Sequence, residues 1–212
     1  MKKIMTLLLA LTMVLSLAAC GSKPSTDGEE GTSISGGSGN ITLPEEPSTE
    51  STVKTPLGDF SAQDFEGNTI TKDIFADYDL TMVNLWTTTC AYCIEEMPAL
   101  NELRKELQDE GKSFNIISVC MDIGNTDEIN DRNFAKAKEI IEKTGVTYPN
   151  LIPDSVLLEG RLKGIQAYPE SFFVDKEGNV VSEPYVGSMP KNHWKVTMNN
   201  EIEKISQSAE KE

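Results

Sequence analysis

From residue 55 onward the large apolar side chains fall into two patterns, unbroken runs and positions spaced by three or four. Leu-Thr-Met-Val-Asn-Leu-Trp at 80–86 and Phe-Asn-Ile-Ile-Ser-Val-Cys-Met at 114–121 are dense enough in apolar residues to predict strands buried on both faces. Between them Ile94, Met97, Leu100, Leu103 and Leu107 recur at helical spacing, which predicts an amphipathic helix closing at Gly111. Residues 134–143 predict a second helix stopped by Gly145, and residues 146–152 another strand. Upstream, residues 60–64 and 69–71 flank Glu66-Gly67-Asn68, a turn signal, and predict an opening hairpin. Downstream, a short helix over 155–163 leads to Tyr168-Pro169. Residues 171–175 and 180–183 then flank Lys176-Glu177-Gly178-Asn179 as a closing hairpin, with Phe172, Phe173 and Val174 in the core, and a last helix covers 191–206. Strands alternating with helices predict an α/β domain over residues 55–212, a mixed sheet with helices on both faces.

The first part of the chain has a different character. Lys2 and Lys3 precede an uncharged apolar run, residues 4–19, too short for a spanning helix and of the form of a secretory signal. It ends in Leu-Ala-Ala-Cys-Gly at 17–21, which resembles the bacterial lipoprotein box, so residues 1–19 are expected to be removed and Cys20 to carry lipid. Two acyl chains on Cys20 suffice for stable anchoring. Residues 21–54 consist mainly of Gly, Ser, Thr, Pro, Asp and Glu and cannot bury enough surface to offset the entropy of ordering. They read as a tether with a root-mean-square span of roughly 30 to 35 Å. The implied location is extracytoplasmic, held to the cell membrane.

Charge narrows the function classes. The chain of 212 residues has 34 acidic against 19 basic side chains, a formal charge of -15, and is 38% hydrophobic. That composition excludes a polytopic membrane protein and argues against a nucleic-acid partner, which needs a clustered basic face.

Apart from Cys20, the chain has three cysteines, and two are spaced Cys90-Ala91-Tyr92-Cys93 between a predicted strand and helix. Unpaired N–H groups and the dipole at a helix N-terminus favour an anion, so Cys90 suits a thiolate nucleophile. Cys93, one turn on, can resolve a mixed disulfide by intramolecular attack. A structural disulfide and a zinc site remain alternatives, although so short a loop gains little from a staple and only Cys120 and His193 are left as further soft ligands. Cys120 is expected as a small core residue, His193 on the surface, and Pro98 as a structural kink in the long helix. Glu96, at i+3 from Cys93, lies on the same helical face and is a candidate proton acceptor; its neighbour Glu95 reads as solvated. No cofactor or metal is expected.

Trp86-Thr87-Thr88-Thr89-Cys90-Ala91-Tyr92-Cys93-Ile94-Glu95-Glu96-Met97-Pro98 resembles the W-x-x-x-C-x-x-C-x-x-E-x-P segment of the TlpA/ResA-like, thioredoxin-fold thiol-disulfide oxidoreductases. The order of elements agrees, including the amino-terminal hairpin and a helical insertion around 150–165. The resemblance implies a thioredoxin-like fold with Cys90 as nucleophile, Cys93 as resolving thiol, Glu96 as the family's acidic residue and Trp86 as an aromatic wall. It also implies that Pro169 is a cis-proline facing the disulfide and that the Tyr168 backbone pairs with an extended substrate. Read from the residues alone, Tyr168-Pro169 is a trans turn before a strand. Implied partners are disulfide-containing extracytoplasmic proteins, among them apocytochromes c awaiting haem and oxidised reductases such as methionine sulfoxide reductase. A CcdA-like membrane thiol carrier is the implied electron donor. Two other functions compete. Thr87-x-x-Cys90 matches part of the peroxiredoxin pattern, though Val83 stands where that pattern has proline; a tethered binding module would instead present the acidic surface to a cationic partner.

Overall fold

Residues 54–209 are described by the computed structural model; the expected signal segment, Cys20 and the tether before Lys54 lie outside them. Strands β1 (Thr55–Pro56), β2 (Ser61–Asp64) and β3 (Thr69–Thr71) lead through a 3-10 turn at Lys72–Phe75 into β4 (Leu80–Trp86). Helix α1 (Ala91–Asp109), β5 (Phe114–Cys120), α2 (Asp131–Thr144), β6 (Asn150–Ile152) and the short α3 (Ser155–Glu159) follow. The chain closes with β7 (Glu170–Asp175), β8 (Asn179–Val180), β9 (Tyr185–Val186) and α4 (Lys191–Ala209).

β4 is the hub. It runs parallel to β5, from Leu80 opposite Phe114 to Trp86 opposite Cys120, and antiparallel to β7, from Leu80 opposite Asp175 to Leu85 opposite Glu170. The sheet order is β1-β8-β7-β4-β5-β6-β2-β3, with β9 also on β7. Every residue of β4 and β5 is buried, as their unbroken apolar runs require. The pleat sorts their side chains. Leu80, Met82 and Trp86 join α1, α2 and α4 on one face, while Val83 and Leu85 join Leu57, Phe60, Phe75 and the α3 segment on the other. Both faces carry helices, but the three long ones share one face.

The amino end of the domain is fixed at the sheet margin. Thr55 pairs with Val180 of β8, and Lys54 Nζ lies 3.5 Å from Asp175 Oδ2, at the end of β7 level with Leu80.

Several boundaries differ from the sequence reading. Of the strand expected over 146–152 only β6 pairs, although Val146 and Tyr148 are buried in the core. The helix expected over 155–163 stops at Glu159, where Gly160 leaves helical geometry. Of the strand expected over 180–183 only Val180 is in a strand, at the end of β8, and pairing resumes past that range in β9. The physical cause is local: the Ser182 hydroxyl takes the Phe173 N–H at 2.9 Å in place of a ladder carbonyl, and Pro184 has no N–H to offer. β1 has no counterpart among the expected elements, because two residues are too few to carry a periodic pattern.

Candidate active site

The site lies where β4 ends and α1 begins. After Trp86, residues 87–89 turn, Cys90 N–H donates to the Thr87 carbonyl at 3.2 Å, and Cys90 becomes the N-cap of α1. Its sulfur accepts the Cys93 N–H at 3.2 Å, the kind of orphan donor that a helix N-terminus leaves free. Cys90 and Cys93 are joined as a disulfide, with Cα atoms 5.3 Å apart. The pair is asymmetric. Cys90 is half-buried, whereas Cys93 is entirely covered by the core, so an outside molecule meets Cys90 first. Tyr92, between them, is 68% exposed and is the large apolar side chain that the motif itself presents to solvent.

Beneath the disulfide, Glu96 is 5% exposed on the same face of α1 as Cys93. Asn84 Nδ2 donates to its Oε1 and Trp194 Nε1 to its Oε2, each at 3.2 Å. Burial pushes its carboxyl up to about 7, against the opposing pull of Trp194, Asn84 and the Met189 backbone. A carboxyl poised near neutrality, one turn from Cys93, can accept and return a thiol proton. Tyr148 is its other neighbour, held well above the usual phenol range by burial first and by the Glu96 charge second.

The Tyr168–Pro169 peptide bond is cis, as the resemblance implied and the residue-level reading did not. Its position follows from register. Glu170 is opposite Leu85, so Pro169 stands level with Trp86, at the sheet edge from which the Cys90 loop springs. Tyr168 is half-buried and Pro169 buried, and the Pro169 carbonyl accepts the Gly187 N–H at 2.8 Å. From the insertion, Arg161 reaches Glu170 Oε1 at 2.8 Å, and its guanidinium lies over the Phe172 ring, 4.2 Å from the centroid.

Trp86, expected as an aromatic wall beside the cysteines, presents no surface to solvent. Its indole is wholly covered, in the same core cluster as Cys93, and packs behind the disulfide. Cys120 is buried, with its thiol 3.4 Å from Asp122 Oδ1 and held far above the usual thiol range, chiefly by burial. His193, Glu95 and Pro98 are exposed, Pro98 inside α1.

Sequence reasoning missed Asn84, Trp194 and Asp122. Asn84 left a signal, an amide inside an apolar run that must find partners when buried; it bonds Glu96 and, at 3.0 Å, Ser171 Oγ. Trp194 is 98 residues from Glu96 and left none.

Residues 53–183 match the AhpC/TSA family. The chain belongs to that family. It is 27% identical over 143 residues to the thiol:disulfide interchange protein DsbE of Haemophilus influenzae, covering 68% of this chain and 70% of that protein. It is 29% identical over 109 residues to the thiol-disulfide oxidoreductase ResA of Bacillus anthracis, covering 51% of this chain and 56% of that protein, a little over half its length. Among solved structures, a thioredoxin-family thiol:disulfide interchange protein from Chlorobium tepidum superposes with a TM-score of 0.56 at 22% identity, over 70% of this chain and 97% of that one. The fold is thioredoxin-like, and within the AhpC/TSA family the chain groups with the TlpA/ResA-like thiol-disulfide oxidoreductases.

Proposed function

We propose that the protein is a membrane-tethered, extracytoplasmic reductase of protein disulfides. The observation that carries this reading is the asymmetry of the Cys90–Cys93 disulfide, one sulfur reachable and the other enclosed above a buried carboxyl. In the reduced protein, Cys90 thiolate attacks one sulfur of a partner's disulfide; a mixed disulfide forms and the partner's other sulfur leaves as thiolate. Glu96 takes the proton from Cys93, whose thiolate then attacks the Cys90 sulfur and displaces the partner's second thiolate. Two electrons have passed to the partner, and Cys90–Cys93 is again a disulfide. A membrane thiol carrier of the CcdA-like class returns the electrons by the same exchange in reverse. The Tyr168 backbone offers the edge with which an extended partner segment pairs, with Pro169 facing the disulfide and Tyr92 and the rim above Trp86 as apolar contact. Lipid on Cys20 holds the domain at the membrane, where apocytochromes c awaiting haem are one class of target.

Cys93→Ala removes the resolving thiol and is expected to accumulate disulfide-linked partner proteins, absent from Cys90→Ala and visible on a non-reducing gel. Wild-type protein should reduce insulin disulfides, with hydrogen peroxide reacting with Cys90 no faster than with a free thiol. No adduct from Cys93→Ala, together with insulin reduction equal to that of the double alanine variant, overturns the reading.

A further inference from the structure

Asp122, two residues beyond the end of β5, is the carboxylate that grips the loop carrying the nucleophile. Its Oδ1 and Oδ2 accept the Thr88 N–H at 3.0 and 3.1 Å, and Oδ2 accepts the Thr88 hydroxyl at 2.7 Å. Oδ1 also takes the Cys120 thiol, at 3.4 Å. The residue is itself held in place, because Asn133 of α2 donates its side-chain amide to the Asp122 carbonyl at 2.6 Å. The other ionisable groups at the site are Tyr168, Glu170 and, beneath Cys93, Glu96; both Glu170 and Asp122 act on Tyr168. Glu170 is neutralised by Arg161, whereas the hydrogen-bond partners of the Asp122 carboxylate are all uncharged. A carboxylate whose hydrogen-bond partners are all uncharged is therefore held on the loop that carries Cys90. Thr88 precedes Cys90 by two residues, so with consecutive Cα atoms about 3.8 Å apart the carboxylate lies within about 10 Å of the Cys90 backbone.

We propose that Asp122 is a positioning residue that pins the 87–89 loop and disfavours the Cys90 thiolate, so that the dithiol is the stronger reductant. A like charge at this range raises the free energy of the thiolate and leaves the neutral disulfide untouched. The couple consumes two electrons and two protons on going from disulfide to dithiol, and above the Cys90 titration one of those protons is released. Destabilising that anion shifts the equilibrium toward the disulfide and electrons toward the partner. The helix N-terminus pulls the opposite way, and Asp122 offsets it.

The inference rests on the reductase reading and adds a residue that strengthens its driving force; the two fail separately, the first by an unchanged Cys90 acidity and the second by absent adducts. In full-length protein, Asp122→Asn keeps an acceptor for Thr88 and removes the charge. It is expected to raise the acid dissociation constant of Cys90 about tenfold, read from the pH dependence of its alkylation, and to shift the glutathione equilibrium toward the dithiol by about tenfold at a pH above the Cys90 titration. Asp122→Glu retains the charge and should restore both values. Thr88→Val retains the charge and drops only the hydroxyl bond, and should move neither by more than about threefold. Asp122→Asn within threefold of wild type overturns the proposal, as does a Thr88→Val shift as large as that of Asp122→Asn. Should Asp122→Asn not fold, Asp122→Ser, which removes the charge and leaves a hydroxyl acceptor for Thr88, supplies the same test, and a Cys90 acidity within threefold of wild type in that variant overturns the proposal.

Discussion

At Glu96 two requirements meet: the core excludes charge, and thiol chemistry needs a base. Asn84 and Trp194 reconcile them by donating one hydrogen bond to each oxygen, which leaves the carboxyl titrating near neutrality. Stability should record this. With a folded-state value of about 7 against an ordinary 4.5, the folded protein binds more protons than the unfolded chain between those limits. Stability therefore falls as pH rises from about 4.5 to about 7 and levels off above, by on the order of 3 kcal/mol from this residue. Urea unfolding of the oxidised protein across that range checks the slope, and Glu96→Gln should flatten it. In the proposed mechanism the same residue is expected to set a limb of the rate profile. Trp194→Phe deletes a donor that favours the anion, so the alkaline shift of the insulin-reduction profile relative to wild type measures what that indole contributes. Glu96 was legible from the resembling family's motif together with its spacing to Cys93. Its partners were not, because Asn84 and Trp194 come from a strand and a helix that only tertiary packing brings to it.

Between elements, charge and packing share the work unequally. Lys191 of α4 bonds Glu102 and Glu106 of α1, and Lys195 bonds Glu106 and Glu110, a ladder of four contacts at 2.6 to 3.3 Å along the helix pair. All of these side chains remain partly exposed, and solvent and salt screen such pairs so that each adds little to stability. Leu100, fully buried beneath them, belongs to a different class. Leu100→Ala should lower stability by about 2 to 5 kcal/mol, and Lys191→Ala with Lys195→Ala by less than that and less still in high salt, compared by denaturant midpoints. Elements whose register is set by apolar pattern, β4, β5 and the core-facing side of α1, are readable from the order of residues alone. Elements set by single hydrogen bonds are not: a serine hydroxyl at Ser182 splits β8 from β9, and no hydrophobic periodicity announces that.

For the molecule as a whole, the family resemblance was legible in the Trp86 to Pro98 segment together with the order of elements, while the placement of the cis-proline against that segment required the antiparallel β4–β7 register. Net charge works at this scale too. A chain at -15 is repelled by anionic lipid, so the domain is expected to stand off the membrane unless held there. Shortening residues 21–54 should accordingly leave insulin reduction by the purified domain unchanged while slowing its re-reduction in membrane vesicles that contain the thiol carrier, measured by the fraction of Cys90 accessible to alkylation.

The clamp of Lys54 on Asp175 gives the molecule a polarity. Asp175 is level with Leu80 and the disulfide lies beyond Trp86, so the two ends of β4 separate them by about 20 Å, at about 3.3 Å per residue. Under the proposed anchoring, a domain suspended from Lys54 should carry its sulfur pair on the far pole, where a client protein in the surrounding fluid meets it head-on. A donor in the bilayer should be met only after the domain turns over, so recharging, rather than delivery, is the step that leash length is expected to govern.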